Sequence, residues 1–133
     1  MSGIGDIGAV AGIGTDLVDV PRIASLLEKY GAAFLEKNFT PAEIAACKGK
    51  ANAAQRFAAR FAAKEAMAKA LGTGFSGRIT PKSLSIENAE SGEPRAVLDD
   101  AAKARLEEIG ASKMLVSITH LKEYAQAFAI AAR

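Results

Sequence analysis

Two acidic residues, Asp16 and Glu65, and four basic ones, Arg56, Arg60, Lys64 and Lys69, have the types and spacing that could do chemistry. Asp16 lies inside an apolar, strand-like run, Gly12-Ile13-Gly14-Thr15-Asp16-Leu17-Val18. A carboxylate there must be paired, exposed at a sheet edge or ligating a metal, because burying it bare is costly. An edge-strand acid that discourages aggregation is the plainer alternative. The other five residues share one long helical pattern. Magnesium is usually held by one or two carboxylates, several waters and phosphate oxygens. Asp16 and Glu65, from different elements, could supply those carboxylates, and Arg56, Arg60, Lys64 and Lys69 could engage a polyphosphate. The bland alternative makes Glu65–Lys69 an i,i+4 surface pair worth about 0.2–0.5 kcal/mol, with Lys64 snorkelling to water.

Three further features carry less. His120, the only histidine, stands at the end of a predicted strand, where it is either a structural hydrogen-bonder or a phosphate donor. Cys47 is the only cysteine, which excludes an internal disulfide and a multi-cysteine zinc site, and it reads as a small buried side chain. Gly3-Ile4-Gly5-Asp6-Ile7-Gly8 spells the dinucleotide fingerprint, but that reading needs a strand before it and a helix opening within it. Here the following segment is strand-like, so the match is a decoy.

The elements that must position these residues follow from periodicity and punctuation. Ala9 to Val20 reads as a strand with bends. Pro21 suits a helix's first position, and Ile23, Leu26, Leu27 and Tyr30 form the stripe that follows, with Arg22 off it. Thr40-Pro41-Ala42-Glu43 is a capping box opening a short helix to about Lys48. Asn52 to Leu71 is the longest helical signal, ended by Gly72 and Gly74. On it Phe57, Phe61, Ala68 and Leu71 make an apolar stripe, flanked by Arg56 and Arg60 on one side and Glu65 and Lys69 on the other. Lys64 falls inside that stripe. Ser83 to Asn88 and Arg95 to Leu98 read as strands joined through Ser91-Gly92-Glu93-Pro94. Asp99 or Asp100 caps a helix stopped by Gly110, and Lys113 to Thr119 and Tyr124 to Ala132 form an antiparallel pair. Strands pairing without regular βαβ alternation point to an α+β fold.

The chain has 133 residues, one domain's worth, divided into a loose glycine-rich leader over 1–10 and a single domain over 11–133. Seventeen basic residues against fifteen acidic leave +2, so bulk charge argues for neither nucleic acid nor a membrane surface. No run approaches the roughly 18 apolar residues of a spanning helix, and no basic cluster precedes an apolar one. The expected address is the cytoplasm. Twenty-nine alanines and no tryptophan imply a thin core that oligomerisation would help.

In this order the pieces resemble the holo-acyl-carrier-protein synthases, the short 4′-phosphopantetheinyl transferases. Gly12-Ile13-Gly14-Thr15-Asp16-Leu17-Val18-Asp19-Val20-Pro21-Arg22-Ile23 is similar to the family's opening motif. Arg60-Phe61-Ala62-Ala63-Lys64-Glu65-Ala66-Met67-Ala68-Lys69-Ala70-Leu71-Gly72-Thr73-Gly74 is similar to its long second signature. Phe39-Thr40 with Glu43, Gly92-Glu93-Pro94, and Ser117-Ile118-Thr119-His120 before Tyr124-Ala125 fall where the family has equivalents. Thr119 in place of the usual serine, Asp19 in place of a more frequent glutamate, and the leader are departures that leave the proposed metal ligands untouched.

The resemblance implies a small antiparallel sheet packed on a long central helix, in a homotrimer. It implies transfer of the 4′-phosphopantetheine arm of CoA to a serine of apo-acyl-carrier protein, in fatty acid biosynthesis, releasing adenosine 3′,5′-bisphosphate. Asp16 and Glu65 then correspond to the magnesium ligands and Lys69 to the lysine near the scissile phosphates. Arg60 and His120 match residues associated with the 3′-phosphate of CoA, Lys64 joins the CoA-binding set, and Arg22 matches the arginine that meets the carrier's acidic residues. Glu65 and a metal-bound water both stay open as acceptors of the serine proton. A non-catalytic CoA-binding subunit with the same fold is the rival. One expectation is geometric: Glu65 and Arg60 stand about 140° apart on their helix, so a compact ligand reaches both only if two subunits share the site.

Overall fold

The computed structural model describes residues 8–133, so Gly3 to Ile7 of the decoy and most of the leader lie outside the described residues. Strand β1, Val10–Asp19, opens the chain and pairs antiparallel with β5, Tyr124–Ala132, which pairs on its other side with β4, Lys113–His120. The sheet order is β1-β5-β4. Its inner face is built from small residues, with Ala125, Ala127, Ala129 and Ala131 of β5 all buried.

The reason lies in α4, Ala53–Ala70, which packs on that face. A Cβ on Gly14 would fall 2.0 Å from the Ala66 carbonyl oxygen, and one on Gly12 would fall 2.0 Å from that of Ala70. Helix and strand therefore meet backbone to backbone, which only glycine allows. The helix is also more enclosed than one stripe predicts. Ala58, Ala59, Ala62, Ala63 and Ala66 are buried along with Phe57, Met67 and Ala68, while Phe61 is half-buried. Alanine gives a weak periodic signal, so a helix surrounded on most sides reads as one with a narrow face.

Helix α1, Val20–Tyr30, starts as expected: Pro21 sits in its first turn and Asp19 accepts from the Arg22 amide at 3.2 Å. Ile23 is buried and Arg22 exposed, but Tyr30 leaves the stripe for solvent, with the Lys29 ammonium 5.7 Å from its ring centroid. The seven-residue α2, Ala32–Asn38, is absent from the sequence reading because Gly31 cuts it from α1 and two turns hold too few apolar residues to display a period. The capping box forms at α3, Pro41–Cys47. Phe34, Phe39, Phe57 and Phe61 join these helices to α4, with Phe39 and Phe57 centroids 4.9 Å apart. Cys47 is buried, and burial pushes its thiol above the ordinary value.

Strands β2, Leu84–Asn88, and β3, Pro94–Leu98, form a separate hairpin, followed by α5, Asp100–Glu108, capped by Asp99 at 2.9 Å from the Ala102 amide. Helix α4 ends where Arg105 Nε of α5 donates to the Leu71 carbonyl at 2.9 Å. This is an α+β fold with two antiparallel sheets. Among the described residues no helix is long and apolar enough to cross a membrane.

The outer face of the three-stranded sheet carries side chains that none of the described residues covers. Ile13, Ile130 and Leu115 lie level across β1, β5 and β4, with Phe128 and Leu17 beside them. Ile13 is 66% exposed, Leu17 60% and Phe128 57%, a contiguous apolar surface of the kind that marks an interaction site.

Candidate active site

Asp16 follows Gly12 and Gly14 on the inner face of β1, so the approach those glycines permit carries its carboxylate to α4. Lys69 Nζ donates to Asp16 Oδ1 at 3.2 Å and to the Thr15 carbonyl at 2.9 Å. Lys69 is exposed at the rim of this contact, whereas Asp16 is mostly shielded. The expected Glu65–Lys69 surface pair gives way to this cross-element one. Glu65, one turn earlier on α4, is half-buried, and its pKa is raised, first by burial and then by the Asp16 carboxylate. Lys69 and Arg22 act in the opposite direction. Asp16, Glu65, Lys69 and the start of α1 thus share one locus.

A divalent cation fits this donor set. Burial first, and the Asp16 carboxylate second, disfavour the ionised form of Glu65, and a cation bound between the two acids would offset both. Among the described residues no group of three or more His, Cys, Asp or Glu side chains forms a cage. Two carboxylate donors would leave the rest of a cation's shell to waters and phosphate oxygens.

Arg60 stands elsewhere. It faces β2, where Nη2 donates to Asn88 Oδ1 at 3.1 Å, while its buried Nε has no partner among the described residues. Arg60, Arg56 and Asn88 line a cleft of about 370 Å³ walled by α3, α4 and β2. Arg56 is fastened there by its Nε bond to the Ala51 carbonyl at 3.2 Å. His120, the last residue of β4, is exposed beside Ala125. A larger cleft of about 840 Å³ between β3, β4 and α5 holds none of the candidate residues.

Lys64 requires a correction. It is fully buried, and its ammonium donates to Glu43 Oε1, to the Pro81 carbonyl at 2.9 Å and to the Leu84 carbonyl at 3.1 Å. Three protons are committed to three acceptors inside the chain, so Lys64 has none for a phosphate and does not snorkel. Burial pulls its pKa below the ordinary value against the opposing pull of Glu43. The signal was present: a lysine inside an apolar stripe requires a buried acid nearby. Glu43 looked like a cap only, and Asn88 had no signal, being one polar residue at a strand end.

Residues 12–129 match the 4′-phosphopantetheinyl transferase superfamily. A holo-[acyl-carrier-protein] synthase of Koribacter versatilis is 42% identical over 121 residues, covering 91% of this chain and 97% of the relative. The chain belongs to the holo-acyl-carrier-protein synthase family of phosphopantetheinyl transferases. The crystal structure of the Neisseria meningitidis synthase superposes with a TM-score of 0.79 at 36% identity, covering 93% of this chain and 98% of that one. The Helicobacter pylori synthase, solved in complex with coenzyme A, also gives 0.79, at 27% identity over 91% of this chain and 99% of that one. As a member of this family the chain is an enzyme, and the resemblance of its two motifs holds over nearly its whole length.

Proposed function

We propose that this synthase transfers the 4′-phosphopantetheine arm of CoA to a serine of apo-acyl-carrier protein with magnesium at Asp16 and Glu65, serving fatty acid biosynthesis in the cytoplasm. The observation that carries the reading is the meeting of Asp16, Glu65 and Lys69 where β1 crosses α4. The serine oxygen attacks the phosphorus attached to the pantetheine, and the bond to the bridging oxygen of the pyrophosphate breaks. Adenosine 3′,5′-bisphosphate leaves with that oxygen.

Magnesium, when bound by Asp16 and Glu65, neutralises phosphate charge and makes the phosphorus more electrophilic. Lys69 exchanges its Asp16 contact for the departing phosphate, which its exposed position permits. Glu65 and a water on the metal are the two acceptors open to the serine proton. Arg22, exposed at the mouth of the site, meets acidic side chains of the carrier.

Arg60, with His120, holds the 3′-phosphate, and it does so for a CoA whose pyrophosphate sits on the neighbouring subunit. Arg60 and the Asp16–Glu65 locus face different neighbours of α4, and the uncovered sheet face is suited to closing three copies into a ring. The test is intact-mass spectrometry of apo-acyl-carrier protein after incubation with enzyme, CoA and magnesium. A gain of one phosphopantetheine, lost with EDTA, is expected. CoA binding without any mass gain would favour the non-catalytic subunit instead.

A further inference from the structure

The buried Glu43–Lys64 pair remains unused by the mechanism above, and besides its bonds to Thr40 and Pro81 it holds β2, one wall of the Arg60 cleft. Glu43 Oε1 accepts from the Thr40 amide at 3.0 Å, and Oε2 accepts from the Ile86 amide at 3.0 Å. Ile86 and Leu84 are on β2, so the pair takes an amide of that strand through Glu43 and a carbonyl of it through Lys64. Lys64 stands one turn after Arg60 on α4. Each wall of the cleft is thereby tied to one pair of side chains: α3 through Glu43, α4 through Lys64, and β2 through both.

The cleft has little else to fix its width. Among the described residues, the polar links from β2 to α3 and α4 are these two and the Arg60–Asn88 bond itself. Arg60 contributes only that one bond from its guanidinium, and its Nε is unpartnered. The position of its fork therefore depends on where β2 holds Asn88, two residues along the strand from the nearer anchor, Ile86. Buried ion pairs seldom add net stability over well-packed neutral residues, so stability alone gives this one little reason to exist.

We propose that the Glu43–Lys64 pair is a positioning device for the Arg60 cleft, setting the distance between Arg60 and Asn88 and so the enzyme's selectivity for CoA carrying the 3′-phosphate. This rests on the assignment of the cleft to that phosphate. Neither residue touches the ligand; both act through β2 and α4. Because Glu65 and Lys69 turn from α4 toward Asp16 on β1, whereas Glu43 and Lys64 turn toward β2, the pair governs donor binding and not the chemical step.

The experiment compares CoA with dephospho-CoA, which lacks the 3′-phosphate, in equilibrium binding and in steady-state transfer. Wild type is expected to prefer CoA by about tenfold or more, the scale of a charge-assisted contact, and Arg60→Ala to lose that preference. Glu43→Gln/Lys64→Met, which leaves no unpaired buried charge, is expected to lose most of it as well, through a raised KM for CoA alone. Its kcat should stay within about threefold of wild type. Glu43→Gln alone, which keeps both carbonyl bonds of Lys64, is expected to lose part of the preference and decides the matter if the double variant does not fold. A full preference in a folded pair variant, or equal losses for both donors, would overturn the positioning role. Retained preference in Arg60→Ala would instead overturn the assignment of the cleft, so the two failures are distinguishable.

Discussion

Lys69 and Glu65 differ in what their surroundings ask of them. Lys69 is exposed and holds Asp16 by a rim contact, so its removal leaves the fold alone while taking away the cation proposed to meet the departing phosphate. Lys69→Ala should lower kcat by about a hundredfold or more with an unchanged melting temperature, read by single-turnover transfer and thermal unfolding. Glu65 carries a raised pKa, so the folded chain keeps its proton to higher pH than the unfolded chain does. Ionised Glu65 is the disfavoured form, and stability falls as pH rises from the ordinary carboxylate range through the raised value. Glu65→Gln should therefore raise the metal-free melting temperature at neutral pH by about 1–2 °C, a solvent-screened effect that fades in acid. Magnesium should reverse the order by stabilising wild type more. A gain independent of pH would mean that charge is not its cause.

Among the elements, the crossing of β1 over α4 is the contact on which the site depends. Gly14→Ala would put a methyl into the Ala66 carbonyl, and should cost about 3 kcal/mol or more by chemical denaturation, with magnesium binding weakened as Asp16 is pushed away. The bends in β1, the capping box, the long helix and the terminal hairpin were all legible because each has a local signal of its own. The acidic pair and Lys69 were legible for a related reason: charge inside apolar elements demands a partner or a task. What stayed hidden depends on contacts between distant segments. Helix α2 is too short to show a period, Tyr30 satisfies its stripe in sequence yet finds nothing to cover it, and alanines disguise how completely α4 is enclosed. Lys64 shows its charge in sequence, but its burial decides its role. Asn88 meets Arg60 only because a hairpin folds back 28 residues later.

At the scale of the molecule, the two loci face different ways and one apolar sheet face is uncovered, which together suit an assembly with sites between chains. If the proposed trimer closes on this face, Phe128→Asp should give a monomer in sedimentation and lose transfer activity in parallel, because burying a carboxylate there is prohibitive. Arg22→Glu should weaken carrier binding by about tenfold or more while leaving CoA binding nearly unchanged, as measured separately by titration. Equal losses would move Arg22 away from the carrier. The account as a whole rests on the claim that magnesium ligands from one chain and the Arg60 cleft of the next make one site. Mixing Asp16→Ala subunits with Arg60→Ala subunits, each defective alone at low CoA, tests it directly. In randomly mixed trimers about a quarter of the interfaces join an intact metal locus to an intact cleft, and transfer should recover accordingly. Activity no greater than the sum of the two parents, in trimers shown to be mixed, would contradict the shared site.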